Sequence, residues 1–182
     1  MSILDKLNAF LPPEKRDVAT AGAGMVALLA GRKLTALALF GKGMAGLERT
    51  WREKHPDFAG GLTDRWDEAL KFYEATHRDP TNRKLHIVGI PFIVAGTAGL
   101  LLFPAYRPMW GASAAAFVGG WILNFIGHGV YEKNAPAFQD DPLSFIAGPV
   151  WDFRQVFRKK DATAPAPATE PDNDWTKAPA SA

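Results

Sequence analysis

Along the chain, apolar residues fall first at helical spacing, then in short Ala/Gly/Leu-rich runs, and finally in two long runs without a charge. Ile3, Leu4, Leu7, Phe10 and Leu11 share a helical face behind Ser2 as N-cap, and Pro12-Pro13 stops the pattern. Residues 1–17 therefore read as an amphipathic N-terminal element, suited to a membrane interface or a packed surface. Val18 to Gly31 and Leu34 to Leu47 follow as two apolar segments of about 14 residues, separated by Arg32-Lys33. At ~1.5 Å per residue each reaches ~21 Å, short of a full crossing. Residues 18–48 thus predict a short Gly/Ala-rich membrane hairpin. Its small residues Ala21, Gly22, Gly24, Gly41, Gly43 and Gly46 would let the two helices approach closely. The basic turn and the second apolar helix argue against a cleaved signal peptide.

Residues 49–63 are polar, with Pro56 and Gly60-Gly61 marking a linker. Thr63 or Asp64 can cap the next helix, on which Trp66, Leu70, Tyr73 and His77 share one face. Asp79-Pro80 ends that helix, and Thr81 or Asn82 can cap the following one. Leu85 to Tyr106 then holds 22 residues without formal charge and Pro108 to Tyr131 another 24, with histidine counted as neutral. Roughly 20 such residues span a bilayer core of about 30 Å. The expected fold is an all-α integral membrane protein whose transmembrane hairpin turns around Tyr106-Arg107-Pro108. A polar turn (Lys133 to Pro142), a short apolar segment (Leu143 to Phe153) and a basic end complete a domain over residues 64–160. Residues 161–182 hold four prolines and seven alanines and are expected to be disordered.

Composition narrows the chemistry. The absence of cysteine excludes disulfide scaffolds, iron–sulfur clusters and cysteine nucleophiles. A net charge of +2 is too small for a nucleic-acid binder, even with a tail at −3 that leaves the body at +5. No nucleophile elbow, phosphate loop or dinucleotide fingerprint is present. Arg78, Arg83 and Lys84 precede the first long span, and Lys133, Arg154, Arg158, Lys159 and Lys160 follow the second, with only Arg107 in the turn between. The positive-inside rule then predicts a multi-pass inner-membrane protein with its histidine face and C-terminus in the cytoplasm.

The histidines carry the sharpest inference. His86 lies 21 residues before Arg107 and His128 lies 21 after it, so an antiparallel hairpin brings both to equal depth. Glu132 follows His128 by four residues and Asn82 precedes His86 by four, each on the same helical face as its histidine. His77, one short turn before Asn82, ends near the same level. Three imidazoles and a carboxylate suit Fe(II), Mn(II) or Zn(II). The plain alternative is that these histidines are amphipathic anchors meeting by chance, and Glu132 pairs equally well with Lys133 or Arg83. His55, between Lys54 and Pro56, reads as a solvated loop residue.

Two stretches carry a resemblance. Tyr73 to His86 contains His77-x-x-Pro80-x-Asn82 and then His86, while Gly127-His128-x-x-x-Glu132-x-x-x-Pro136-Ala137 forms a second box. Both resemble the Mpo-type 2-hydroxy fatty acid dioxygenase family, in its short bacterial branch, over about Asp64 to Lys159. The resemblance implies a membrane-bound, Fe(II)-dependent dioxygenase that shortens 2-hydroxy fatty acids by one carbon, with oxygen as co-substrate and membrane lipid as surroundings. It also implies His77, His86 and His128 as metal ligands. Glu132 is then a further ligand or an orienting partner, and Asn82 and Glu132 are the other active-site residues. Asn124 departs from the glutamine of many members, and the compact hairpin lacks the additional histidine of longer ones. The rival readings are a non-enzymatic membrane scaffold or lipid-binding protein with structural histidines, and a metal-dependent lipid hydrolase.

Overall fold

The structure is a computed structural model, and it describes residues 12–157. The expected amphipathic helix before Pro12 and the expected tail at 161–182 lie outside these residues. Six α-helices carry the described chain: α1 (Pro13–Leu29), α2 (Lys33–Lys54), α3 (Leu62–Thr76), α4 (Pro80–Leu102), α5 (Pro108–Ile126) and α6 (Ser144–Phe157). A π-helical extension of α5 covers Gly127–Glu132, and a 3-10 turn covers Ala137–Gln139. Among the described residues there is no strand, so the chain is all-helical as the hydrophobic pattern predicts.

Two antiparallel hairpins, α1–α2 and α4–α5, form the long part of the molecule. Both close by small residues. A methyl group on Gly24 would lie 2.7 Å from Phe40 N, and one on Gly43 would lie 2.5 Å from Ala21 N. Gly22 and Gly41, by contrast, face open space. In the second hairpin Gly96 lies against the Phe117 backbone and Gly120 against the Gly89 carbonyl. Backbones this close gain dispersion along their length without bulky side chains between them. The hairpins meet through Ala27, Leu28 and Ala36 packed with Leu100 and Phe117. Both turns lie at the same end, where Tyr106 O–H donates to Ala30 O at 2.9 Å and Lys33 Nζ to Phe103 O at 2.7 Å.

Several expected boundaries shift. The first hairpin helix begins at Pro13, where a proline at the first helical position lacks only an N–H that would be unpaired anyway. The second continues to Lys54, because Trp51 is buried and holds the polar segment 48–54 to the body. Only residues 55–61 of the expected linker 49–63 are non-helical. α3 starts after Gly61, with the Asp64 carboxylate accepting the Gly61 N–H at 2.7 Å, rather than at a Thr63 or Asp64 cap. α4 is capped by Asp79, whose carboxylate accepts the Thr81 and Asn82 N–H groups at 2.7 and 2.9 Å. The buried face of α3 is centred on Arg65, Ala69 and Tyr73, with Trp66 and Leu70 only half-buried.

α4 and α5 with its extension are long and apolar enough to cross a membrane. Only 33% and 17% of their most apolar windows are buried. Phe92 and Val94 on α4 and Val118, Ile122 and Phe125 on α5 are exposed.

Candidate metal centre

His77, His86 and His128 come together at the end of the long hairpin opposite the turns. His77 follows the last residue of α3, His86 lies in the second turn of α4, and His128 is the second residue of the π-helical segment after α5. Each is at most 4% exposed. Their ring centroids are 4.8, 4.8 and 4.9 Å apart and their planes stand 80–85° to one another, a near-threefold arrangement. One nitrogen from each lies within 4.8 Å of the others.

The hydrogen bonds fix which nitrogen is free. His77 Nδ1 lies 2.7 Å from Tyr73 O, His86 Nδ1 lies 3.0 Å from Asn82 O, and His128 Nδ1 lies 2.8 Å from Asn134 Oδ1. The amide of Asn134 cannot be reversed, because its Nδ2 donates to Thr76 O at 2.9 Å. All three partners are oxygen acceptors, so each ring carries its proton on Nδ1 and leaves an Nε2 lone pair. Among the described residues no side chain or backbone group pairs with any of these Nε2 atoms, and that of His77 is fully buried. Burial, followed by the neighbouring His86 imidazole, lowers the His77 pKa to about 3, so its lone pair stays available at neutral pH. Three neutral imidazoles with oxygen-anchored Nδ1–H groups are the donor set that holds a divalent transition metal.

Glu132 is not part of the clustered nitrogens. Its carboxylate accepts the N–H groups of Arg78 and Asp79 at 2.8 and 2.9 Å and Asn82 Nδ2 at 2.9 Å. Both His128 and Glu132 lie on the π-helical segment, which Lys133 in the left-handed region ends. Glu132 thereby ties the α3–α4 turn to the end of α5; no ion pair joins it to Lys133 or Arg83. Asn82 is fully buried beside Gly127, where a Cβ would strike its Oδ1. Its carbonyl orients His86 and its amide braces Glu132. Pro136 lines the cavity described below. His55 is exposed and stacked on Trp51 at 4.2 Å, remote from the three rings.

Two positions escape the sequence reading. Asn134 lies within the second box, but its spacing gives no hint that it orients His128. Asp152 accepts Tyr73 O–H at 2.7 Å, and Tyr73 stacks on His77 at 3.8 Å between centroids. Burial raises the Asp152 pKa to about 6, against the pull of the Tyr73 hydroxyl and of Arg83.

From the histidines a cavity of about 430 Å³ extends between the hairpins, within the usual range of small-molecule sites. Among the described residues its lining is almost wholly apolar and includes no lysine, arginine, aspartate or glutamate. Trp121 and Asn124 border it, with Trp121 Nε1 and Asn124 Oδ1 buried and unpartnered.

No curated protein and no solved structure matches this chain. The family described as 2-hydroxy-palmitic acid dioxygenase Mpo1-like matches residues 63–160, which include all three clustered histidines and both boxes. More than half of the chain lies in that match, and the protein belongs to the Mpo1-like family.

Proposed function

We propose that this protein is a membrane-embedded, Fe(II)-dependent dioxygenase that shortens 2-hydroxy fatty acids by one carbon. The observation that carries the reading is the set of three Nδ1-anchored imidazoles at the polar end of an otherwise uncharged, apolar cavity. A fatty acid has the complementary division: one anionic head and a long tail that gains ~0.8 kcal/mol per buried methylene. A carboxylate placed among neutral histidines with no cation in the lining would be strongly disfavoured, so a metal cation on the triad is what makes that end suitable for the head. Iron bound by His77, His86 and His128 would supply that charge together with redox chemistry toward oxygen.

The remaining tasks fall to the protein. Tyr73 O, Asn82 O and Asn134 Oδ1 hold the rings in one tautomer and orientation. Glu132 and Asn82 act behind the histidines as positioning residues, since their side chains fasten the α3–α4 turn to the end of α5. The apolar walls exclude water from the reacting end. In net terms the hydroxyl-bearing carbon becomes a carboxyl group and the original carboxyl leaves as carbon dioxide, with one dioxygen consumed and one water formed.

In the same proposal α4 and α5 cross the bilayer, and the cavity opens toward lipid beside Val94 and Phe125, both exposed and both in its lining. The histidine end faces the cytoplasm. The turn end holds Arg32 and Lys33 as well as Arg107, so the charge asymmetry is smaller than the long hairpin alone indicates. Protein purified in detergent should contain iron, take up oxygen on addition of 2-hydroxypalmitate and release the acid one carbon shorter. Absence of oxygen uptake by iron-loaded protein would overturn the reading.

A further inference from the structure

The cavity lining runs along α4 from His86 to Leu101, which at ~1.5 Å per residue is a path of ~22 Å. Half of a ~30 Å bilayer core, the depth of one leaflet's acyl chains, is ~15 Å. The path therefore exceeds the depth of one leaflet's acyl chains and is long enough for a long-chain acyl group. The family-matched segment does not build the far part of this path alone. Gly24, Leu28, Ala36, Leu37 and Phe40, all from α1 and α2 and all before residue 63, line it together with Thr97, Leu101 and Phe117. The hairpin is fastened there at its turn, by Tyr106 to Ala30 and Lys33 to Phe103, next to the end of α4 and away from the histidines. Leu28 and Ala36 are buried against Leu100 and Phe117 at that end.

We propose that the N-terminal hairpin closes the distal end of the acyl site, and that Leu28, Ala36 and Leu37 set the longest fatty acid the protein accepts. The proposal rests on the reading above only for the class of ligand. Gly24 contributes by its lack of a side chain, since a Cβ would press on Ala36 O and Phe40 N and force the two helices apart. That separation would widen the cavity at the position where the chain must end.

The test is displacement of a fluorescent polyene fatty acid from the full-length protein by saturated, unhydroxylated acids from octanoic to arachidic. Ala36→Phe should shorten the limit, with affinity falling about fourfold for each methylene excluded and octanoic acid unaffected. Leu37→Trp, at a position 55% exposed on the same wall, makes the same prediction without entering the packed core. Leu28→Ala should move the limit toward longer acids. An identical length profile in wild type, Leu37→Trp and Leu28→Ala, or no displacement by any acid, overturns the proposal. The readout, taken on iron-loaded protein, needs no turnover, so a shifted profile in a protein without oxygen uptake would count against the dioxygenase reading alone.

Discussion

Two buried polar clusters flank α3, and they are finished differently. Arg65, 1% exposed, donates both Nη groups to Asp141 at 2.9 and 2.7 Å and reaches Glu48 through Nε and Nη2. Its guanidinium lies 3.6 Å over the Trp51 ring, and Asp141 also accepts the Leu143 N–H. Every charge there has its partner. In the histidine cluster each ring is satisfied at Nδ1 and left open at Nε2. A buried polar atom without a partner costs about 1–3 kcal/mol, a cost that a purely structural cluster has no reason to keep. Arg65 joins the N-terminal hairpin, α3 and the segment before α6, so it holds the fold. The triad holds itself open, as a binding site must.

Substitutions should separate the two clusters. The largest effect is expected on metal retention. His86→Ala or His128→Ala should abolish bound iron and oxygen uptake together while the protein still inserts and melts cooperatively; His55→Ala should change neither. Full iron occupancy in both histidine variants would end the shared-site reading. Next comes stability. Asp141→Ala strands the Arg65 charge and should destabilise by about 3–5 kcal/mol in a detergent melt, with iron lost only through unfolding. Glu48→Ala should cost less, because the Glu48 side chain is 30% exposed and water can replace it. If Asp141→Ala melted like wild type, the ion cluster would not be the fastening described here.

A smaller effect tests the supports behind the rings. Asn134→Ala removes the acceptor that sets the His128 tautomer, and Glu132→Gln replaces an acceptor oxygen by a donor facing other donors. Each should weaken iron binding about 10–100-fold without unfolding the protein, the range for groups that orient ligands rather than bind metal. Complete loss of iron in Glu132→Gln, with stability unchanged, would instead make Glu132 a ligand.

How much of this was legible follows from the range of each interaction. The equal spacing of His86 and His128 about Arg107 is a local count, and the antiparallel hairpin turns it into adjacency. His77 joins them because only a short turn separates α3 from α4. The hydrogen-bonding partners are another matter. Asn134 reaches Thr76 across 58 residues and Arg65 reaches Asp141 across 76, distances that no helical periodicity encodes. Arg65 also violates the amphipathic pattern, since a charge on a surface helix ordinarily faces water. α2 extends past its apolar run because Trp51 packs on Arg65 and Phe58, contacts made only in the folded chain. Glu132 follows His128 by four residues, but the N–H groups of Arg78 and Asp79 that hold its carboxylate lie 54 and 53 residues away.

The last predicted effect concerns Asp152, whose carboxyl is buried beneath Tyr73 and among the described residues faces the Tyr73 hydroxyl and the Arg83 guanidinium, which lies 4.6 Å over Trp151. Its pKa in the fold, about 6, is above the ordinary carboxylate range. Between about pH 4 and 6 the unfolded chain is therefore ionised while the folded one keeps its proton. The unfolded state then binds fewer protons, and stability falls as pH rises through that window, by about 2–3 kcal/mol at most. His77 acts in the opposite direction, because its lowered pKa makes the unfolded chain the better proton acceptor below about 6.5. The contribution of Asp152 is isolated by comparing melting of wild type and Asp152→Asn across that range. Wild type should lose stability relative to the variant as pH rises from 4 to 6, and the difference should be level above 7. A difference that stays constant from pH 4 to 7 would mean that Asp152 is ionised throughout and paired with Arg83, as fully compensated as the Arg65 cluster.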